Sequence, residues 1–245
     1  YDGSFVTQAD LEVDRFIHQA IGNGYPRHGI LTEETSPFYR GNEFTWVVDP
    51  LDGTNNFANG LPVWGCSIAL LHQGQPVLAV VDFPPLGQRI SAVRGEGAVA
   101  NGRPLAVPPP TEVHGNHFFI TDSRGVRMLE FAVRPKIRLL GSTAYDLGAV
   151  SLGMAVACCE FLPKIWDIAG GWLVLSEARA TVAPLLPGGS VFPLQPGRDY
   201  SDLVFPLLAA ASPAIWDSTR AGIRLKAGGD RVARRLEDQG WVVDL

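Results

Sequence analysis

Apolar positions along this chain follow two periods. Near the start they fall at helical spacing. Thr7-Gln-Ala-Asp10 has the form of a capping box with Asp10 in the glutamate position, and Leu11, Phe16, Ile17, Ala20 and Ile21 roughly share one face before Gly22 and Gly24. This predicts an opening helix. A short apolar stretch, His28 to Leu31, leads into Thr32-Glu33-Glu34-Thr35. Strand character then takes over at Phe44–Val48, Gly65–Leu71, Pro76–Phe83 and Gln88–Val93, with Gln73-Gly74-Gln75 as a hairpin turn and Asn101-Gly102 as another turn.

Pro108-Pro109-Pro110 marks a surface loop, and a lobe boundary is expected near 105–115. Beyond it, Phe118–Thr121 and Ile137–Leu140 read as strands. Helices are expected from about Ser142 to Ala155, from about Asp167 to Ala178, and over Arg231–Gln239, closed by Gly240. A last strand is expected at Trp241–Val243. Strands and helices interleave, so the class is α/β or α+β. Residues 1–110 are expected to form an N-terminal lobe and 111–245 a C-terminal lobe of one compact unit.

Composition narrows the function. With 245 residues, 46% hydrophobic and 18% charged, the chain has ample length for a sizeable core. A net charge of −5 with no basic stripe argues against a nucleic-acid partner. No apolar run is long enough to cross a membrane, and Phe205 to Trp216 is broken by Pro206, Ser212 and Pro213. No secretory signal opens the chain, which starts at Tyr1 without Met, so its natural N-terminus is expected upstream. The three cysteines, Cys66, Cys158 and Cys159, include an adjacent pair and no Cys-x-x-Cys, as expected for reduced core thiols in a cytoplasmic protein.

The chemistry concentrates in Trp46-Val-Val-Asp-Pro-Leu-Asp-Gly-Thr-Asn-Asn-Phe57, a buried strand that delivers Asp49 and Asp52 to a tight turn. Like charges about 4 Å apart repel by about 4 kcal/mol at an effective dielectric near 20. A divalent cation bound through oxygen would remove that cost. Glu33 and Asp167 are further candidates for the same site. Taken alone, Asp167 reads equally well as a helix N-cap, and Glu33-Glu34 reads more readily as a solvated loop. Bridging carboxylates can hold two metals about 3.5–4 Å apart, an arrangement suited to in-line displacement at phosphorus. The Gly53 and Thr54 N–H groups and the Gly141-Ser142-Thr143 turn could meet a phosphate or another oxyanion. That second turn reads equally well as a plain helix cap.

These pieces resemble the signatures of the inositol monophosphatase family. Asp49-Pro-Leu-Asp-Gly-Thr54 is similar to its Asp-Pro-Ile/Leu-Asp-Gly-Thr motif, and Trp166-Asp-Ile-Ala-Gly-Gly171 to its Trp-Asp-x-Ala-(Ala/Gly)-Gly motif. Thr32-Glu-Glu34 resembles its Gly-Glu-Glu segment, and Val6-Thr-Gln-Ala-Asp10 its Val-Thr-x-x-Asp segment. All four occur in family order, and the resemblance covers roughly residues 2–190. It implies a layered αβαβα fold of the inositol monophosphatase and fructose-1,6-bisphosphatase type, usually a homodimer. It also implies a Mg²⁺-dependent, lithium-sensitive phosphomonoesterase using two to three ions, with Mn²⁺ as a substitute and Ca²⁺ and Li⁺ inhibitory.

Carried over by position, Glu33, Asp49 and the Leu51 carbonyl would hold one metal, and Asp49, Asp52 and Asp167 a second; a weaker third would touch Glu33. Water would sit by Glu33 and Thr54, with Asp10 orienting Thr54. Gly53 and Thr54 would hold the phosphate, and Asp52, Glu160, Gly141, Ser142 and Thr143 would face the substrate. The chain departs from the family in three places. It lacks the helix that precedes Val6 and the Lys just upstream of Asp2. Ser123 to Arg138 is shorter, and Gly197-Arg-Asp-Tyr-Ser-Asp202 has no counterpart.

The expected substrate is inositol monophosphate or a related sugar phosphate. The same chemistry on fructose 1,6-bisphosphate, histidinol phosphate or 3′-phosphoadenosine 5′-phosphate is the near alternative; for a nucleotide, Tyr145 and Arg138 are the local candidates for a clamp. A non-catalytic interaction protein that keeps the fold is the alternative of another class. Direct attack by water without a phosphoenzyme is expected, because no Cys-x5-Arg or Asp-x-Asp start is present. Two motifs mislead. Gly95-Glu-Gly97-Ala-Val-Ala100 nearly matches a dinucleotide fingerprint, but a turn rather than a helix follows it. His114-Gly-Asn-His117 has metal spacing but lies in an expected loop.

Overall fold

The structure, a computed structural model, describes residues 7–105, 108–110, 112–226 and 230–243. Val6, the first residue of the Val-Thr-x-x-Asp segment, lies outside the described residues, as does part of the expected 105–115 boundary. The first half runs α1 (Gln8–Gly24), β1 (Gly29–Thr32), β2 (Phe38–Tyr39), β3 (Phe44–Asp52), α2 (Thr54–Ala58), β4 (Gly65–His72), β5 (Gln75–Phe83), β6 (Gln88–Val93), β7 (Gly97–Ala100) and β8 (Arg103–Pro104). The second continues with β9 (Phe118–Thr121), α3 (Ser123–Met128), β10 (Leu129–Phe131), β11 (Lys136–Arg138), α4 (Thr143–Ser151), β12 (Ala157–Glu160) and α5 (Ile165–Glu177). It closes with β13 (Thr181–Pro184), β14 (Arg198–Asp199), β15 (Leu207–Ala210), α6 (Pro213–Ala221), β16 (Ile223–Leu225) and α7 (Asp230–Asp238).

The described residues build a seven-stranded sheet in the order β1-β3-β4-β5-β6-β7-β8 and a five-stranded sheet in the order β11-β9-β12-β15-β13. β1 runs parallel to β3, and the rest of the first sheet is antiparallel. α1 packs on β3, while α4 and α5 pack on each other and between the two sheets; α6 covers the far side of β15. The result is the layered α+β sandwich, with helix and sheet layers alternating. Because α5 touches strands of both sheets, it needs an apolar surface all round, and Ile165, Trp166, Ile168, Ala169, Leu173, Val174 and Leu175 are all buried. Its two central glycines allow the close approach. A Cβ on Gly171 would lie 2.5 Å from Leu147 Cδ1, and one on Gly170 would lie 2.7 Å from Ser67 Oγ.

The hydrophobic pattern misplaces some boundaries. The capping box at Thr7 and Asp10 forms, but the buried stripe of α1 is Asp10, Asp14, Ile17 and Ile21, while Phe16 stays 71% exposed. Spacings of three and four run through the two acids, and a search restricted to apolar residues skips them. The strand expected at 137–140 is β11, ending at Arg138, and the helix expected to reach Ala155 stops at Ser151, followed by Gly153 at φ +72°. Trp241–Val243 is not a strand: Trp241 is buried, and its Nε1 donates to the Val204 carbonyl at 3.2 Å. The Gly197–Asp202 segment forms β14 and pairs with β2.

Gly95 lies in the hairpin that joins β6 to β7, as its turn context requires, and His114 and His117 stack at 3.9 Å in a loop. All three cysteines are free, Cys158 and Cys159 within the core. Among the described residues no helix is long and apolar enough to cross a membrane.

Two glycine substitutions should act with opposite sign. Gly171→Ala is expected to destabilise by about 1–3 kcal/mol through overpacking against Leu147. Gly22→Ala, at an exposed site in α1 with nothing within 4 Å, should stabilise by about 0.4–1 kcal/mol. Urea-unfolding midpoints check both.

Candidate metal centre and active site

β3 carries the site because both its edges are paired, and Val47–Asp52 are all buried. Asp49 and Asp52 are three residues apart, which in an uninterrupted strand puts them on opposite faces. The register shifts between them, with Asp49 opposite Ser67 and Asp52 opposite Gly65. Such a bulge re-aims a side chain and increases the local twist. Gly53 follows at φ +90°, where a Cβ would lie 2.9 Å from the Val63 carbonyl. Only glycine lets the chain turn so tightly from β3 into α2.

Three elements converge on this point. Glu33 comes from the turn after β1 and Asp167 from the first turn of α5. One carboxylate oxygen from each of Glu33, Asp49 and Asp167 lies within 4.8 Å of the others. Glu33 is on the exposed rim, yet desolvation of its carboxyl, then the charges of Asp167, Glu34, Asp52 and Asp10, push its pKa up to about 9. Burial, reinforced by Glu33, Asp52 and Asp167, holds Asp49 well above the usual carboxylate range. Asp167 is raised to about 7 by burial and then by Asp52, against the lowering pull of the Lys164 N–H, the Lys164 charge and Arg124. Its Oδ2 accepts that N–H at 2.8 Å.

Asp52 stands differently. Its Oδ2 accepts the Ser142 hydroxyl and the Ala144 N–H, the latter at 2.8 Å, and its Oδ1 accepts the Thr143 N–H at 3.2 Å. Burial raises its pKa to about 6, and these donors lower it. The sequence assigns Asp52 to a metal and the 141–143 turn to an oxyanion. In the structure the carboxylate meets the turn, tying β3 to the start of α4, and Asp52 is outside the close trio of Glu33, Asp49 and Asp167. The tie is a charge-assisted cap on the helix N-terminus.

α1 braces the other side. Thr54 Oγ1 is 3.0 Å from Asp10 Oδ1 and 3.0 Å from the Leu51 carbonyl. Asp10 also accepts the Thr7 N–H at 2.8 Å. Thr35 Oγ1 donates to Asp14 Oδ2 at 2.7 Å, which anchors the Glu33 loop to the helix. Asp14 went unrecognised in the sequence; its signal is its position four residues after Asp10.

Glu160 is 1% exposed, bonds Thr143 Oγ1 at 3.2 Å and pairs with Asp146, also 1% exposed. Burial is the largest cause that raises both acids well above their ordinary range, and the Asp146 charge adds to it at Glu160. Asp146 was not anticipated either; it is on the buried face of α4. Arg138 and Tyr145 do not form a substrate clamp. The Arg138 guanidinium stacks over Phe118 at 4.3 Å, and Tyr145 is buried edge-on against Phe83.

The donor set is entirely carboxylate and carbonyl oxygen, with mutual repulsion and an opening to solvent at Glu33. Those are the conditions that fit a hard divalent cation such as Mg²⁺.

Raised carboxyl pKa values make stability depend on pH. The folded protein retains protons that the unfolded chain releases near pH 4, so stability is full below that pH and falls as pH rises toward about 9. Asp49→Asn removes one of the strained charges. In EDTA it should raise the melting temperature at pH 8.5 and change it little at pH 5, as measured by differential scanning fluorimetry.

The Inositol monophosphatase family model matches residues 2–202. A Nus factor SuhB of Pasteurella multocida (strain Pm70) is 34% identical over 222 residues, covering 86% of this chain and 79% of the relative. An inositol-1-monophosphatase of Mesorhizobium japonicum is 34% identical over 217 residues, covering 82% and 76%. Among solved structures, the extragenic suppressor protein suhB from Bartonella henselae has a TM-score of 0.76 at 27% identity, covering 93% of this chain and 87% of that one. With its motifs in order along the match and its acids converging at the end of β3, the chain belongs to the inositol monophosphatase family and is a phosphomonoester hydrolase.

Proposed function

We propose that this chain hydrolyses a small polyol phosphate by direct attack of water at the cluster of Glu33, Asp49 and Asp167. The observation that supports this most is the meeting of those three carboxylates, from separate elements, within 4.8 Å. Two to three Mg²⁺ ions would be held by Glu33, Asp49, Asp52, Asp167 and the Leu51 carbonyl, with Mn²⁺ able to substitute and Ca²⁺ and Li⁺ inhibitory. When bound, Mg²⁺ supplies a water of lowered pKa and neutralises phosphoryl charge.

The chain's own groups do the positioning. Thr54 Oγ1 gives its single proton to Asp10 or to the Leu51 carbonyl, each 3.0 Å away. Its lone pairs are then left to receive a hydrogen bond from the attacking water. Glu33 accepts the water's second proton at a carboxylate oxygen. The Gly53 and Thr54 N–H groups hold the phosphate against the start of α2. As the water oxygen bonds to phosphorus, the ester P–O bond breaks, and the leaving alkoxide takes a proton from a solvent water while Glu33 returns its proton to solvent, leaving no net proton change. The Gly141-Ser142-Thr143 turn, with Glu160 behind Thr143, faces the alcohol. Asp52 locks that turn to β3 and keeps both sides of the substrate in register.

The leading substrate class is inositol monophosphate or a related sugar phosphate. Fructose 1,6-bisphosphate, histidinol phosphate and 3′-phosphoadenosine 5′-phosphate belong in the same panel. We place the protein in the cytoplasm as a homodimer, with no membrane or nucleic-acid partner. The Nus factor names of some relatives favour a second reading, a non-catalytic contact with a partner protein. Three mutually repelling acids gathered within 4.8 Å serve no purpose in such a contact alone.

Phosphate release with and without Mg²⁺ and Li⁺ tests the proposal. Turnover should require Mg²⁺, fall with Li⁺, and place one oxygen of labelled water in the phosphate. Asp49→Asn should lose at least about 10²-fold in kcat, beyond the effect of removing a supporting hydrogen bond around a metal site. Thr54→Ala should lose about 10²–10³-fold. Full turnover by Asp49→Asn, or none by the unaltered protein on any phosphate, would sink the assignment.

A further inference from the structure

A cavity of about 1070 Å³ opens beside the acid cluster, and most of its charged wall is basic. Glu33 and Trp166, the neighbour of Asp167, form the end next to the acids. Arg124, Lys164, Arg231, Arg234 and Arg235 line the rest, against Asp202 and Asp238. The volume is at the top of the range of about 300–1,000 Å³ for pockets that take drug-sized ligands. A polyol monophosphate would leave much of it empty.

The basic wall is assembled from distant parts of the chain. α3 brings Arg124, the loop before α5 brings Lys164, and α7 brings Arg231, Arg234 and Arg235 at helical spacings of three and four. Like charges so spaced on a helix repel by a few tenths of a kcal/mol, about 0.2–0.5 per pair. An anion between them reverses that sign. Two of the five cations are anchored, Lys164 Nζ on the Ser201 carbonyl and Arg235 Nη2 on the Asp202 carbonyl at 3.0 Å. The guanidinium groups of Arg124, Arg231 and Arg234 make no hydrogen bond or ion pair among the described residues, and all three side chains are exposed to the cavity. Their planar donor forks match phosphate oxygens.

We infer that this wall is a subsite for a second phosphate carried by the substrate, with Arg124, Arg231 and Arg234 as its specificity-determining residues. The inference rests on the phosphatase reading above and, among the substrates named there, selects those that bear a second phosphate over inositol monophosphate. Only the phosphate at the acid cluster reacts. Its P–O ester bond breaks as water bonds to phosphorus, and the freed alkoxide is protonated. The second phosphate stays intact and supplies binding energy, which appears mainly in KM.

Steady-state kinetics in Mg²⁺ on inositol 1-phosphate, fructose 1,6-bisphosphate and 3′-phosphoadenosine 5′-phosphate test this in the unaltered protein and in Arg124→Gln/Arg231→Gln/Arg234→Gln. Circular dichroism and the melting temperature confirm that the variant folds. In the unaltered protein, kcat/KM should be at least ten-fold higher for one bisphosphate than for inositol 1-phosphate. The variant should lose at least ten-fold more on that bisphosphate than on inositol 1-phosphate, through KM, and a triple Lys variant should recover part of the loss. Preference for inositol 1-phosphate in the unaltered protein, or equal losses on both substrates, overturns the inference. Salt-sensitive binding of an RNA oligomer that the variant abolishes without changing either substrate's kinetics also overturns it and gives the cleft to a macromolecule. No Mg²⁺-dependent turnover of any of the three fails the phosphatase reading itself, and the inference with it.

Discussion

The constraint on which the rest of this molecule depends is the gathering of several carboxylates at one desolvated point. The charges of Glu33, Asp52 and Asp167 each raise the pKa of at least one other member of the group, Asp49 is raised by all three, and burial is the largest contribution for all four. No fold would select such an arrangement for stability alone. Its consequence is a centre that is strained when empty of cations and relaxed when they bind, so ligand affinity and folding energy are linked.

Two helices keep that strain from being relieved by movement. α1 holds the Glu33 loop through Asp14 and Thr35, and holds Thr54 through Asp10. α5 is clamped between α4 and the first sheet by contacts that only glycine permits, which fixes Asp167 at its N-terminus. Asp52 ties the strand to α4, so the end of β3 and the Gly141-Ser142-Thr143 turn are held as one piece. A site held on strands and helix termini in this way keeps its geometry better than one carried on loops.

The charge of the cleft changes over a short distance. It is acidic at Glu33, Asp49 and Asp167 and basic toward Arg124 and α7. The chain carries a net charge of −5, with no basic stripe along its length. The folded surface still concentrates cations in one cavity, because Arg124, Lys164 and the α7 arginines converge from three separate segments of the chain. Composition reports the sum of charges, and the fold decides where the field is focused.

The sequence by itself determined the local events. The apolar run before Asp49 and the glycine after Asp52 specify a strand and a tight turn from neighbouring residues alone. The capping box at Thr7 and the small residues after Asp167 are equally local, and the order of the motifs identified the family. What it could not determine depends on long-range contacts. Asp14 and Asp146 look like ordinary polar residues until their helices are docked. Whether Asp52 faces a metal or caps α4 depends on a bulge set by pairing with β4 and on a turn some ninety residues away in the chain. The basic wall exists only once α3, the loop before α5 and α7 line one cavity. Short-range pattern follows from backbone sterics and hydrophobic periodicity, which each segment carries within itself. Buried charge, by contrast, takes its meaning from neighbours that only the tertiary structure brings within a few ångströms.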